Sequence, residues 1–100
     1  MKKGTTPTHY FTLPFDVGEV ANCRVIYSQT EKIILKKELS DCQCKGNTIS
    51  VRLSQEDTFQ FISPRPVQIK VRLLTTGGDA INSDIKTVSY EQCLDDEVLV

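Results

Sequence analysis

Residues 66–74 read PVQIKVRLL, and the fold turns on how that stretch is taken. Val67, Ile69, Val71 and Leu73 alternate with Gln68, Lys70 and Arg72. A period of two puts every apolar side chain on one face of an extended strand and every polar one on the other. A helix would scatter the same residues around its axis. The segment is therefore expected to be a strand with one face in a core.

The same alternation recurs on both sides. Residues 48–53, TISVRL, point Ile49, Val51 and Leu53 inward and Ser50 and Arg52 outward. Upstream, Ser40 to Cys44 runs into Lys45-Gly46-Asn47, whose Gly and Asn tolerate positive φ, so a turn is expected there. Residues 20–28, VANCRVIYS, place Cys23, Val25 and Tyr27 on one face and Arg24 and Ile26 on the other. Residues 31–37, EKIILKK, set Ile33 and Leu35 opposite Lys32, Ile34 and Lys36. The polar link Ser28-Gln29-Thr30 makes these two a hairpin. Tyr10 to Leu13 reads as an edge strand stopped by Pro14. After a turn over Thr75 to Asp79, the chain returns from Ala80 to Tyr90 through Ile85 and Val88. Those two are three apart, which predicts a bulge near Lys86-Thr87.

One segment breaks the pattern. Ser54 with Asp57 three residues on is a relaxed capping box, so a short helical turn is expected near residues 54–59, with Pro64 and Pro66 blocking its continuation. About seven short strands with regular turns and one crossover predict an all-β, immunoglobulin-like antiparallel sandwich. The chain has no Trp, so the Cys–Trp–Cys signature of antibody domains is missing. Residues 1–8 hold too little apolar content to fold alone and are expected as a flexible arm, with residues 9–100 forming one domain.

Bulk composition narrows the function. The 100 residues are 39% hydrophobic and 25% charged, with a net charge of -1, which describes a globular chain without the basic excess of a nucleic-acid binder. Basic residues are scattered along the sequence, and the densest acidic run is Asp95-Asp96-Glu97. Met1-Lys2-Lys3 resembles the start of an export signal, but Gly4 to His9 lacks the apolar run that must follow. No segment approaches the length that spans a bilayer. The chain is expected to remain in the cytoplasm, without a membrane partner.

Candidate chemistry is thin. In a reducing compartment Cys23, Cys42, Cys44 and Cys93 are expected as structural thiols; Cys42-Gln43-Cys44 has one intervening residue where zinc sites usually have two to four. His9, the single histidine, is expected as a solvated strand residue. Glu56-Asp57 and Asp95-Asp96-Glu97 read as solvated charge, not as an acid–base pair. Asp79 and Asp84 flank Gly77-Gly78, but Ala80, Ile81 and Asn82 break the ligand alternation of a calcium loop. Gly77-Gly78 is a turn and not a phosphate cradle, although its polar loop is open to recognition. No catalytic, cofactor-binding or metal residue is assigned, no cofactor is expected, and an enzyme is not expected.

The phrases GTTPTHYFTLPF (4–15), GNTISVRLSQEDTFQF (46–61) and VQIKVRLLTTGGDAINSDI (67–85) resemble small proteins encoded among phage and prophage structural genes of Gram-positive bacteria. The opening is also similar to the immunoglobulin-like N-terminal domain of phage baseplate upper proteins, without the long regions that follow there. The resemblance implies a non-enzymatic tail, baseplate or head-associated component. It would be made in the cytoplasm, enter a particle, and pair with itself or other particle proteins through edge strands. Two alternatives belong to other classes. One is a carbohydrate- or ligand-binding module built on exposed rings from Tyr10, Tyr27, Tyr90 and the Phe residues. The other is a metal or redox protein using the four cysteines.

Overall fold

The computed structural model describes residues 1–83, 85–92 and 97–99. Eight strands occupy them: β1 (Thr8–Thr12), β2 (Val20–Gln29), β3 (Lys32–Glu38), β4 (Cys42–Lys45), β5 (Thr48–Arg52), β6 (Val67–Thr75), β7 (Ala80–Asn82) and β8 (Lys86–Val88). A helix of five residues, α1 (Gln55–Phe59), separates β5 from β6. One sheet has the order β1-β5-β4; the other runs β3-β2-β6-β7, with β8 also paired to β6. Every strand pairing is antiparallel. The expected all-β, immunoglobulin-like sandwich is the architecture found, with the returning strand split in two.

The core follows the alternation. Val67, Ile69, Val71 and Leu73 of β6, Cys23, Val25 and Tyr27 of β2, and Ile49 and Val51 of β5 are all buried, with Leu53 just beyond β5. Residues from the two sheets meet in a single cluster. Apolar area removed from water drives that packing at about 25 cal/mol per Å², and hydrogen bonds along both sheets satisfy the backbone that is buried with it.

The β2–β3 hairpin departs from simple alternation. Tyr27 pairs with Leu35 but Ser28 pairs with Ile33, so Ile34 bulges from the ladder. Ile33 is consequently 50% exposed, while Ile34 and Leu35 both pack on the core. The sequence had grouped Ile33 with Leu35; the extra residue resets the faces. The turn also sits one residue later than expected, since β2 runs through Gln29 and Gln29 pairs with Lys32. Its two central residues, Thr30 and Glu31, have φ of 50° and 65°. Two-residue hairpins favour that left-handed backbone because its twist matches the strands, yet it is costly for residues with a Cβ. Replacing Thr30-Glu31 with Asn-Gly is therefore expected to stabilise the fold by about 1 kcal/mol, read as a higher urea midpoint at unchanged m-value.

A second bulge was expected near Lys86-Thr87. Asn82 pairs with Arg72 and Lys86 with Ile69, so the register of the returning chain shifts by one residue against β6 between those pairs. The irregularity thus precedes Lys86. Ser83 holds its near side, with its amide donating to the Val71 carbonyl (2.9 Å) and its hydroxyl oxygen accepting from the Val71 amide (2.9 Å). Ile85 is exposed and Val88 packs against the core, so the two do not share an environment.

α1 starts as the sequence predicts. The Asp57 amide donates to Ser54 Oγ (3.0 Å), and the Ser54 amide donates to Asp57 Oδ2 (2.9 Å). The opening residues, expected as a flexible arm, are hydrogen-bonded to the rest of the chain. The Met1 ammonium donates to the Ser89 carbonyl, the Lys3 amide to the Glu91 carbonyl, and the Gly4 amide to Thr58 Oγ1. Buried Thr58 donates its hydroxyl towards the Thr5 and Gln55 carbonyls, and the Tyr90 hydroxyl donates to the Thr58 carbonyl. α1 thereby gathers both ends of the chain. Among the described residues no helix is long and apolar enough to cross a membrane.

Candidate functional site

The two flanks of the sandwich differ. On one, β3 and β4 are joined by a single 3-10 turn, Leu39–Asp41, which passes from one sheet to the other and closes the gap. On the other, β1 edges its sheet and β7 edges the second. Between them lies a cavity of about 360 Å³. Phe11, Leu13 and Phe15 line it from the first sheet's side; Val71, Leu73 and Ile81 line it from the second. Val71 and Leu73 are core residues, so the opening reaches the interior from outside. Tyr10 stands at its mouth and is 68% exposed.

Edge chemistry reinforces the asymmetry. Proteins usually protect free strand edges with charge, especially Lys, or with Pro and bulges. β3 carries Lys32, Lys36, Lys37 and Glu38 as well as the bulge at Ile34. β1 is THYFT and β7 is AIN, without a Lys, Arg, Asp or Glu in either. Among the described residues the open flank therefore combines unpaired strand edges, little edge protection and an apolar slot. The residue types of β1 and the stop at Pro14 mark it as an edge strand, but local pattern holds no information on which second edge lies across from it.

The other candidate residues fall elsewhere. His9, expected as solvated, points inward from β1: Nδ1 lies 2.8 Å from the hydroxyl of buried Tyr27, and their rings are 5.5 Å apart. Burial chiefly, with the Lys86 and N-terminal charges adding to it, lowers the His9 pKa from its ordinary value. The half-buried ring is thus biased towards its neutral form beside Tyr27. That contact begins an aromatic row, since Tyr27 meets Phe61 at 6.1 Å and Phe61 meets Tyr90 at 5.6 Å.

Asp57 also departs from the solvated reading. Its Oδ2 is 2.9 Å from Lys37 Nζ, with both side chains largely covered. Burial alone would raise its pKa, but hydrogen bonds from Ser54 and the Lys37 ammonium outweigh that and hold the carboxyl below its ordinary value. The pair ties α1 to β3. Asp84, Cys93, Asp95 and Asp96 lie outside the described residues. Glu56 is exposed, as is Asp79 in the Thr75–Asp79 turn.

Basic residues that look scattered in sequence converge on the outer face of the larger sheet. Arg24 is the strand partner of Arg72, and Ile26 pairs with Lys36 on one side and Lys70 on the other. Glu38 answers part of this charge through a 2.9 Å bond to Arg24 Nε.

Cys23 is buried in β2, Cys42 is half-buried in β4, and Cys44 is exposed. Among the described residues no three His, Cys, Asp or Glu side chains group as metal ligands. A sugar platform would need adjacent exposed rings; among the described aromatics Tyr10 alone is fully exposed, and the Thr75–Asp79 turn has only half-buried Phe15 beside it.

No protein-family model matches the chain, and no curated protein matches it. Among solved structures, the V domain of amphioxus IgVJ-C2 aligns with a TM-score of 0.36 at 10% identity, covering 90% of this chain and 96% of that one. At that score and identity the likeness carries no functional implication. None of these comparisons bears on the phage and prophage resemblance.

Proposed function

We propose that this chain is a non-enzymatic protein-interaction module that accepts an extended segment of a partner at its open flank. The observation that carries this reading is the pairing of an unprotected edge, β1, with an apolar slot leading to Val71 and Leu73. An added strand would satisfy β1's outward backbone groups, and one or two of its apolar side chains would fill the slot. That division of labour is general to strand addition: main-chain bonds give affinity and pockets give specificity. In the finer form of the proposal the partner is a phage or prophage particle protein, or a second copy of this chain, as the sequence resemblance implies.

Sedimentation velocity across a concentration series tests the coarse reading for self-pairing, and binding of purified candidate particle proteins tests it for hetero-pairing. Tyr10→Lys places a charge on the edge without touching the core, so affinity is expected to fall at least tenfold with an unchanged Tm. Association that survives this change would overturn the open-flank assignment. Mass spectrometry of particles released by prophage induction in the source strain tests the finer form. Peptides of this chain at fixed stoichiometry are expected; their absence while the protein is expressed would remove the particle and leave the module.

A further inference from the structure

Two thiols face the same interior cluster, one from each sheet. Cys23 is 2% exposed in β2, the central strand of the larger sheet beside β3. Cys42 opens β4 in the smaller sheet and packs against the cluster that contains Cys23. Strand pairing and one side-chain bond bring the two segments together. Arg24, next to Cys23, is the strand partner of Glu38, and Cys42 Sγ donates to the Glu38 carbonyl at 3.4 Å. Each thiol also weighs on the other's titration, as groups in one neighbourhood do.

We propose that Cys23 and Cys42 form an inter-sheet disulfide when the chain folds in the presence of a low-molecular-weight disulfide, converting the packed thiol pair into a covalent staple. The chemistry is two successive exchanges. The Cys42 thiolate attacks the small disulfide and expels one small thiolate, leaving a mixed disulfide on Cys42. The Cys23 thiolate then attacks Cys42 Sγ and expels the second small thiolate. Two protein thiols are oxidised by two electrons, one small disulfide is reduced to two thiols, and both thiol protons end on the leaving groups.

The folded state controls when this happens. Burial pushes the Cys23 thiol up to about 12, with the neighbouring Cys42 and Cys44 adding to the rise, and burial likewise raises Cys42. Only thiolates attack disulfides, so the folded, reduced chain resists oxidation. Closure belongs to folding, before the sheets seal over Cys23. The staple would fasten the closed flank and leave β1 available, so it neither requires nor excludes the interaction role proposed above.

The full chain, reduced and unfolded, is refolded in a buffer of reduced and oxidised glutathione and compared with chain refolded in a strong reductant. Peptide mapping without reduction is expected to show Cys23 linked to Cys42 as the dominant product, although Cys44 and Cys93 compete as free choices. The linked form is expected to melt roughly 10 °C higher or more, a size set by the loop it closes. Oxidant added after folding in reductant should produce the link at least tenfold more slowly. Cys42→Ala refolded in the same glutathione buffer is expected to show no gain in Tm, which separates the staple from general effects of the buffer. A dominant link other than Cys23–Cys42, or a linked form that melts at or below the reduced one, would overturn the proposal.

Discussion

Gln29→Leu is expected to cost roughly 3 kcal/mol or more, although leucine nearly matches glutamine in volume. Gln29 ends β2 at 2% exposure and serves a segment far away in sequence. Its Nε2 donates to the carbonyls of Ile62 (2.8 Å) and Arg65 (3.0 Å), and its Oε1 accepts from the Ile62 amide (2.7 Å). The 62–65 loop thus uses a side chain where a neighbouring strand would otherwise supply partners. Leucine fills the space and leaves an amide and two carbonyls without those bonds, at roughly 1–3 kcal/mol for each group that stays unsatisfied. Urea unfolding gives the size of the loss. Hydrogen exchange gives its location, because protection at the Ile62 amide should fall more than protection at Val25 or Val71. A loss under about 1 kcal/mol would mean that water or a shifted loop replaces Gln29 without penalty.

Tyr27→Ala is expected to be costlier still, at about 3–5 kcal/mol, the range for removing a large buried ring. Tyr27 is fully buried and stands mid-row, between His9 and Phe61. Truncation removes contacts to strands of both sheets and to the segment after α1. With total stabilities near 5–15 kcal/mol, the variant approaches the threshold of folding. Tyr27→Phe keeps the ring and deletes only the bond to His9, so its cost should stay near 1 kcal/mol. Equal losses for the two variants in urea titrations would assign the role to the hydroxyl and not to packing.

Both predictions rest on features the sequence conveys poorly, and the reason is physical. Alternation is a local signal, and where the backbone is regular it placed the faces of β5 and β6 correctly. The capping box at Ser54 and Asp57 was equally legible, since both its bonds span three residues. Gln29 reads as a polar linker because nothing nearby announces that two carbonyls from residues 62–65 will arrive above it. His9 likewise reads as a surface residue until Tyr27 is known to lie across from it. A bulge costs only one residue, so the period of β3 looked intact through Ile33 although Ile34 had stepped out of line. The open flank was half visible: an unprotected β1 can be read from THYFT, but the apolar slot needs Ile81 and Leu73 brought beside Phe11.

The layout of that flank sets a valence. β1 and β7 belong to different sheets but border one gap, and the opposite flank is shut by the link between β3 and β4. On the strand-addition proposal one incoming segment would fill the gap, so each copy would offer a single acceptor of this kind among the described residues. A segment from a separate partner would end growth at that copy. A segment donated by another copy of the chain would instead pass the same acceptor from copy to copy, and the assembly would stay open-ended.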